Sequence, residues 1–196
     1  MFIVSKSAST AVNQMTLLNP SLKSLIISSM SDIKMATSEP IILDPVFLSL
    51  DVGLSENGEV PTIEDVANTE LVIVQENTSK RDPSSIQGDV DALFTTYFER
   101  AKCSLGQIID VDYLNNSILS IDGVDSYYTR RKDDPSIKFD GLNLIMWNPV
   151  YPSDIQFLTQ NVILQSFQFP FLNDRNGFVN KVVIESPLVQ FEQVEF

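Results

Sequence analysis

Two pairs of aspartates are the residues in this sequence whose spacing could most readily support chemistry. They are Asp89 with Asp91 and Asp110 with Asp112. Paired carboxylates can bind a hard cation or act as general acid and base, the chemistry of a metal-dependent hydrolase. Asp89 and Asp91 fall inside a predicted helix, where they point about 200° apart and cannot share a ligand. Asp110 and Asp112 suit a helix cap and first turn, where negative charge is favourable. We therefore interpret both pairs as structural and predict neither a metal site nor a catalytic residue.

The sequence has one cluster of basic residues, Arg130-Arg131-Lys132. This cluster could bind an anion or an acidic partner surface, which makes Arg130 and Arg131 candidate interface residues. Asp133 and Asp134 follow directly and largely cancel its charge. The favoured interpretation is a solvated strand end, because exposed charge pairs are common and contribute little.

The segment Trp147-Asn148-Pro149-Val150-Tyr151-Pro152 is stiff, and its prolines lack backbone donors, so it belongs in a loop or at a sheet edge. Trp147 and Tyr151 could contact a partner, since both residue types are enriched among interface hot spots. They could equally close the edge of the core. Phe167 and Phe169, in the aromatic-rich stretch that follows, are further candidate interface residues. A carbohydrate-binding or adhesion module, with Trp147 and Tyr151 stacking on sugars, is the alternative function.

The composition excludes several classes of protein. There are 26 acidic and 13 basic residues, a net charge of -13, one cysteine and no histidine. Ordinary serine or cysteine triads and an internal disulfide therefore cannot be built, and a zinc site would lack its commonest nitrogen ligand and all but one sulfur. The negative charge opposes nucleic-acid binding, and no apolar run approaches the roughly 18 residues of a membrane span. We predict a soluble, non-enzymatic protein without cofactors, made in a reducing compartment and binding neither nucleic acid nor membrane.

Three helices are predicted from caps and apolar periodicity. Asn19-Pro20 begins the first, whose stripe includes Leu22, Leu25 and Ile33, and which should end before Pro40. Asp82-Pro83 begins the second, with a stripe of Ile86, Val90, Leu93, Phe94, Tyr97 and Phe98. Asp110 caps the third, with Val111, Leu114, Ile118 and Ile121 on one face, and Gly123 ends it.

Strands are predicted at residues 2–4, 46–52, 71–74, 124–131, 141–147 and 182–184. Residues 46–52 alternate Phe47, Ser49 and Asp51 with Leu48, Leu50 and Val52, a pattern typical of a half-buried strand. Residues 53–68 suggest an exposed loop, and a charged turn at residues 133–135 joins two of the strands. Asn176-Gly177 predicts a tight turn.

These elements predict an α+β fold with helices packed on a small mixed or antiparallel sheet. Residues 1–172 form the predicted domain, and residues 173–196 a C-terminal β extension or hairpin.

Several motifs together resemble the C-terminal part of the phage baseplate J-like family. They are Asp44-Pro45-Val46-Phe47-Leu48, Tyr97-Phe98-Glu99, Leu105-Gly106-Gln107-Ile108-Ile109-Asp110, Ile121-Asp122-Gly123-Val124, Thr129-Arg130-Arg131, and residues 141–152. Within that family the chain is similar to the baseplate wedge proteins of T-even-type phages, over about residues 18–172. Those proteins are several times longer, and the tail after Asn173 does not match.

The resemblance implies a structural role in the virion. Such proteins join baseplate wedges by self-association, as a homodimer or ring, and contact other baseplate wedge proteins of the contractile tail. It implies no active site. It also implies synthesis in the host bacterial cytoplasm and assembly into the tail baseplate.

Overall fold

The computed structural model of the chain describes residues 19–30, 41–55, 59–99, 101–174 and 177–186. The α-helices in this part are α1 (Pro20–Ser29), α2 (Ile63–Ala67), α3 (Pro83–Tyr97) and α4 (Val111–Leu119), and a 3-10 helix spans Phe178–Lys181. The strands are β1 (Val46–Val52), β2 (Thr69–Gln75), β3 (Ile108–Ile109), β4 (Val124–Arg131), β5 (Lys138–Phe139), β6 (Leu144–Asn148), β7 (Tyr151–Leu158), β8 (Val162–Ile163), β9 (Gln168–Leu172) and β10 (Val182–Glu185).

The described strands form three sheets. The first sheet has the order β7-β6-β1-β9, the second sheet has the order β10-β2-β4-β5, and β3 pairs with β8 in a two-stranded ribbon. Both four-stranded sheets are mixed, because β9 runs parallel to β1 and β10 runs parallel to β2 while the other pairs are antiparallel.

The predicted fold class is wrong, because the described chain is rich in sheet and not a set of helices on one small sheet. The strands that the sequence pattern missed explain the error. Pro152 lies in β7 and Pro170 in β9, and proline normally argues against a strand. Both strands lie at an edge of the first sheet, where a missing backbone N–H is tolerated.

The strands at residues 124–131 and 141–147 were expected to be neighbours joined by a turn, which is also wrong. β4 belongs to the second sheet and β6 to the first. The charged turn instead leads to β5, which pairs with β4 through Thr129–Phe139 and Arg130–Lys138. The chain then crosses to the first sheet through Gly141, whose φ of 130° suits glycine.

The helix starts follow the sequence closely. Asn19, Asp82 and Asp110 cap α1, α3 and α4 as predicted, each accepting a hydrogen bond from a first-turn backbone N–H. The prediction that Gly123 ends α4 is wrong, because the helix ends at Leu119 with Ser120 as its cap; Gly123, with a φ of 89°, lies in the turn that leads into β4. The apolar stripes of α3 and α4 join side chains of both sheets in the larger core cluster. By contrast, Leu22 and Leu25 of α1 are exposed.

The region at residues 53–68, predicted as an exposed loop, contains α2. Thr62 and Asp65 form a reciprocal capping box at its start, and Val66 is buried. The Thr-x-x-Asp spacing is a sequence signal for the start of a helix. The glycine, proline and acidic residues around it favoured the prediction of a loop instead. The predictions for residues 2–4, Ile33 and Asn176 lie outside the described residues, as do residues 187–196 of the predicted C-terminal extension.

Candidate functional site

The segment from Trp147 to Pro152 contains the turn of the hairpin between β6 and β7. Asn148 pairs with Tyr151 across the turn, and the Asn148 side-chain oxygen accepts a hydrogen bond from the Val150 N–H at 2.9 Å. This contact is a local Asx-type turn that holds the tip in one conformation. We call residues 149–151 the hairpin tip.

The hairpin separates the two aromatic residues that the sequence grouped together. Trp147 is 5% exposed and packs with Val66, Ile145 and Ile155 in a second core cluster. This cluster lies on the face of the first sheet opposite to the larger core cluster. Tyr151 is 67% exposed, and its neighbour Val150 is 74% exposed. The ring of Trp147 is therefore not accessible for stacking on a sugar, whereas Tyr151 is open to a partner.

Phe167 and Phe169 belong to the start of the parallel pairing between β1 and β9. Phe169 is buried and meets the ring of Phe47 edge to face, with centroids 6.1 Å apart. Phe167 is half-buried, and its carbonyl accepts a hydrogen bond from the Val46 N–H at 2.9 Å. The structure thus places Phe169 in the packed interior and Phe167 at its margin.

Arg131 is buried, so the expected solvated strand end is wrong at this residue. Its guanidinium lies 2.7 Å from a carboxylate oxygen of Asp65 and donates two hydrogen bonds to Asp133, at 2.9 and 2.6 Å. The hydrogen bonds from Arg131 hold the pKa of the Asp133 carboxyl below its ordinary value. Arg131 thereby ties the start of α2 to the end of β4.

Arg130 points to the opposite face of β4 and is half-buried there. It binds Glu70 of β2 at 2.6 Å and also contacts Glu185 of β10. The Tyr128 hydroxyl donates a hydrogen bond to Glu185 at 2.8 Å. Three strands of the second sheet are joined by these groups, so the charge of Arg130 is matched within the chain.

Asp110 and Asp112 lie at the cap and in the first turn of α4, and Asp89 and Asp91 lie inside α3, which are the positions predicted for them. Asp110 accepts a hydrogen bond from the Tyr113 N–H at 2.9 Å, and Asp112 accepts one from the Asn161 side chain at 2.9 Å. Asp89 is exposed and pairs with Arg81 at 2.6 Å. Within the described residues, no group of three or more acidic or cysteine side chains is placed to hold a metal ion.

A buried polar cluster that the sequence pattern missed lies on the face of β1 opposite to the larger core cluster. Lys181 Nζ is 2.7 Å from Asp51 Oδ2 and 3.0 Å from the Val66 carbonyl, and the Asn173 side-chain amide donates to the same Asp51 oxygen at 3.1 Å. The Asn173 oxygen in turn accepts from the Ser49 hydroxyl at 3.1 Å. Burial raises the pKa of Asp51, while Lys181 and Asn173 act in the opposite direction.

Residues 46–52 were predicted to form a half-buried strand, which is wrong at Ser49 and Asp51, because both are buried like the apolar residues with which they alternate. Polar residues alternating with apolar ones normally indicate solvent on one face. Here the second face of β1 is covered by the cluster containing Lys181, which lies 130 residues further along the chain. The spacing of residues in β1 alone carries no signal for that partner.

Comparison with known protein families and with curated proteins finds no match to this chain. None of the helices within the described ranges is long and apolar enough to cross a membrane.

Other apolar side chains are exposed on ordered elements. Ile108 and Ile163 face each other as a directly paired position of the β3–β8 ribbon, and both are exposed. A groove of about 650 Å³ lies alongside α3 and α4, where the rings of Tyr97 and Tyr113 stack with centroids 5.7 Å apart. The described surface therefore offers more than one apolar position for contact with another protein.

Proposed function

We propose that this chain is a structural, non-enzymatic domain of a contractile-tailed phage baseplate wedge. It self-associates and contacts other wedge proteins of the virion. The order and spacing of the motifs that resemble the T-even-type wedge proteins support this assignment, as does a surface with apolar side chains held on rigid elements.

The observation that carries the proposal is the hairpin tip. Val150 and Tyr151 are well exposed, yet the hairpin behind them is held by strand pairing from Leu144–Leu158 to Asn148–Tyr151 and by the buried ring of Trp147. A pre-ordered apolar tip loses little conformational entropy on binding, which favours its use as a contact. Tyrosine is also among the residues enriched at interface hot spots.

The negative charge of the chain indicates which kind of partner surface would suit it. The net charge is -13, and Arg130 and Arg131 are already neutralised by acidic groups of the chain itself. Partner subunits should therefore present basic surfaces to this protein, because complementary potentials favour encounter and suppress wrong partners.

Self-association of the full chain tests the proposal directly. Light scattering over a range of concentrations should detect a dimer or larger species for the natural sequence. The double substitution Val150→Ser with Tyr151→Ser should weaken this association by about tenfold or more, since it removes a hot-spot residue.

Val60→Ser is the matched control, because Val60 is 73% exposed and thus comparable to Val150 at 74%. This control should leave the association constant unchanged. A natural chain that remains strictly monomeric at high concentration would contradict the proposal. Binding of glycans detected by calorimetry, without self-association, would favour the carbohydrate-binding alternative instead.

A further inference from the structure

The Lys181–Asp51 contact differs from the other described lysine ion pairs in its burial. The side chain of Asp51 is 1% exposed and that of Lys181 is 13% exposed. The Lys23–Asp44 pair has a similar distance of 2.6 Å, but its side chains are 21% and 35% exposed. Water is therefore largely excluded from the first pair and reaches the second.

We propose that Lys181 and Asp51 condense to an isopeptide bond that covalently joins the two sheets. Asp51 lies on β1 of the first sheet, and Lys181 is the last residue of the 3-10 helix that leads into β10 of the second sheet. This inference is independent of the proposed function.

The reaction needs no co-reactant. Within the pair, the ammonium of Lys181 passes a proton to Asp51, which leaves a neutral amine facing a neutral carboxylic acid. The amine nitrogen attacks the Asp51 carboxyl carbon, the new C–N bond forms, and the bond from that carbon to Oδ2 breaks. Oδ2 leaves as water with the transferred proton and a second proton from nitrogen, so the amide nitrogen retains one hydrogen.

The surroundings favour each part of this step. Burial disfavours the charged form of the Asp51 carboxyl, so the neutral acid that reacts costs less here than in water. The Val52 N–H donates to Asp51 Oδ1 at 2.8 Å, which stabilises negative charge that develops on this oxygen during attack. The Asn173 amide donates to Oδ2, the oxygen that leaves.

The product would retain the hydrogen bonds made by Oδ1 and Nζ, whereas the Asn173 amide loses its acceptor when Oδ2 leaves. Oδ1 becomes the carbonyl oxygen of the new amide and continues to accept from the Val52 N–H. The single hydrogen left on Nζ can donate to the Val66 carbonyl, which lies 3.0 Å from Nζ before reaction. The condensation therefore removes two buried charges without leaving these groups unpaired.

Intact-mass spectrometry of the folded chain, followed by denaturation, tests this proposal. The expected mass is lower than that of the sequence by one water molecule. Tryptic digestion should yield a branched peptide that contains both Asp51 and Lys181, with no cleavage after Lys181. Lys23 and Asp44, the matched exposed pair, should appear in unlinked peptides.

Two variants examine the chemistry. Lys181→Arg keeps the positive charge but replaces the amine with a non-nucleophilic guanidinium, so it should show the full, unreduced mass. Asp51→Asn should lose one ammonia in place of one water if the same bond forms. A natural chain that is folded by circular dichroism but has its full mass, and is cleaved normally after Lys181, would overturn the proposal whatever the variants do.

Discussion

Arg131 and Asp65 form a charge pair that is nearly removed from water, with side chains 8% and 12% exposed. Asp65 also accepts hydrogen bonds from the Thr62 N–H and hydroxyl at the start of α2. Burying charges is unfavourable unless they are paired, so each of these groups depends on the other. The basic cluster that the sequence suggested as a binding surface thus contributes to holding α2 in place.

Arg131→Met should lower the free energy of unfolding by about 3–5 kcal/mol, because it leaves the Asp65 carboxylate buried without its counter-charge. Lys102→Met is the control, since Lys102 pairs with Glu99 through exposed side chains. The control should change stability by less than about 1 kcal/mol. Urea denaturation measures both, and equal losses in the two variants would contradict the argument.

Asp82 gives a prediction about pH. Hydrogen bonds from the Ser84 hydroxyl and N–H lower the pKa of the Asp82 carboxyl below its ordinary value of 3.8. A lowered pKa in the folded state stabilises the fold above pH 3.8, and this stabilisation is lost as the pH falls through the folded-state pKa. Asp82→Asn keeps a capping oxygen but does not titrate.

The difference in unfolding free energy between the natural chain and Asp82→Asn should therefore be constant from neutral pH down to about pH 5. Below pH 3.8 the free energy of unfolding of the natural chain should fall relative to that of the variant. Denaturation curves recorded across this range measure it. A difference that does not change with pH would show that the Asp82 charge contributes nothing to the cap.

At the level of elements, two glycines illustrate how local geometry determines the effect of the same substitution. Gly123 has a φ of 89°, and an added Cβ would lie 2.5 Å from the Ser79 hydroxyl. Gly88 is exposed on α3, and an added Cβ would have no neighbour within 4 Å. The first glycine is required by the turn, whereas the second weakens a helix.

Gly123→Ala should destabilise the protein by about 1–2 kcal/mol or more, through left-handed strain and the contact with Ser79. Gly88→Ala should stabilise it by about 0.5–1 kcal/mol, because glycine is unfavourable within a helix. Thermal melts of the two variants beside the natural chain would show shifts of opposite sign. Shifts of the same sign would contradict the assigned backbone conformations.

Helices α3 and α4 could be predicted from the sequence because their signals are local. A cap, a proline and an apolar stripe lie within one segment, as at Asp82, Pro83 and Ile86. The arrangement of sheets could not be predicted, because β1 pairs with β9 and β2 with β10 across more than half of the chain. Of the candidate interface residues, Tyr151 lies on an open surface, whereas Trp147 and Arg131 are buried. Their burial could not be predicted either, because the residues that cover them are distant in the sequence.

For the whole molecule, these distant pairings determine how the chain folds. Val46 meets Gln168 and Leu71 meets Val182, so long loops must close before either parallel pairing contributes stability. Stopped-flow refolding should therefore take on the order of milliseconds to seconds. The Lys181→Arg variant is the suitable sample, because it cannot form a covalent link. Refolding in microseconds would contradict the long-range topology.

The order in which strands enter the sheets also affects synthesis on the ribosome. β1 is translated long before β9, and β2 long before β10. At about 5–20 residues per second, each waits on the order of ten seconds with an unpaired edge. Unpaired edges and exposed apolar strands promote aggregation during that interval. We therefore expect the yield of soluble protein to depend on chaperone supply during synthesis.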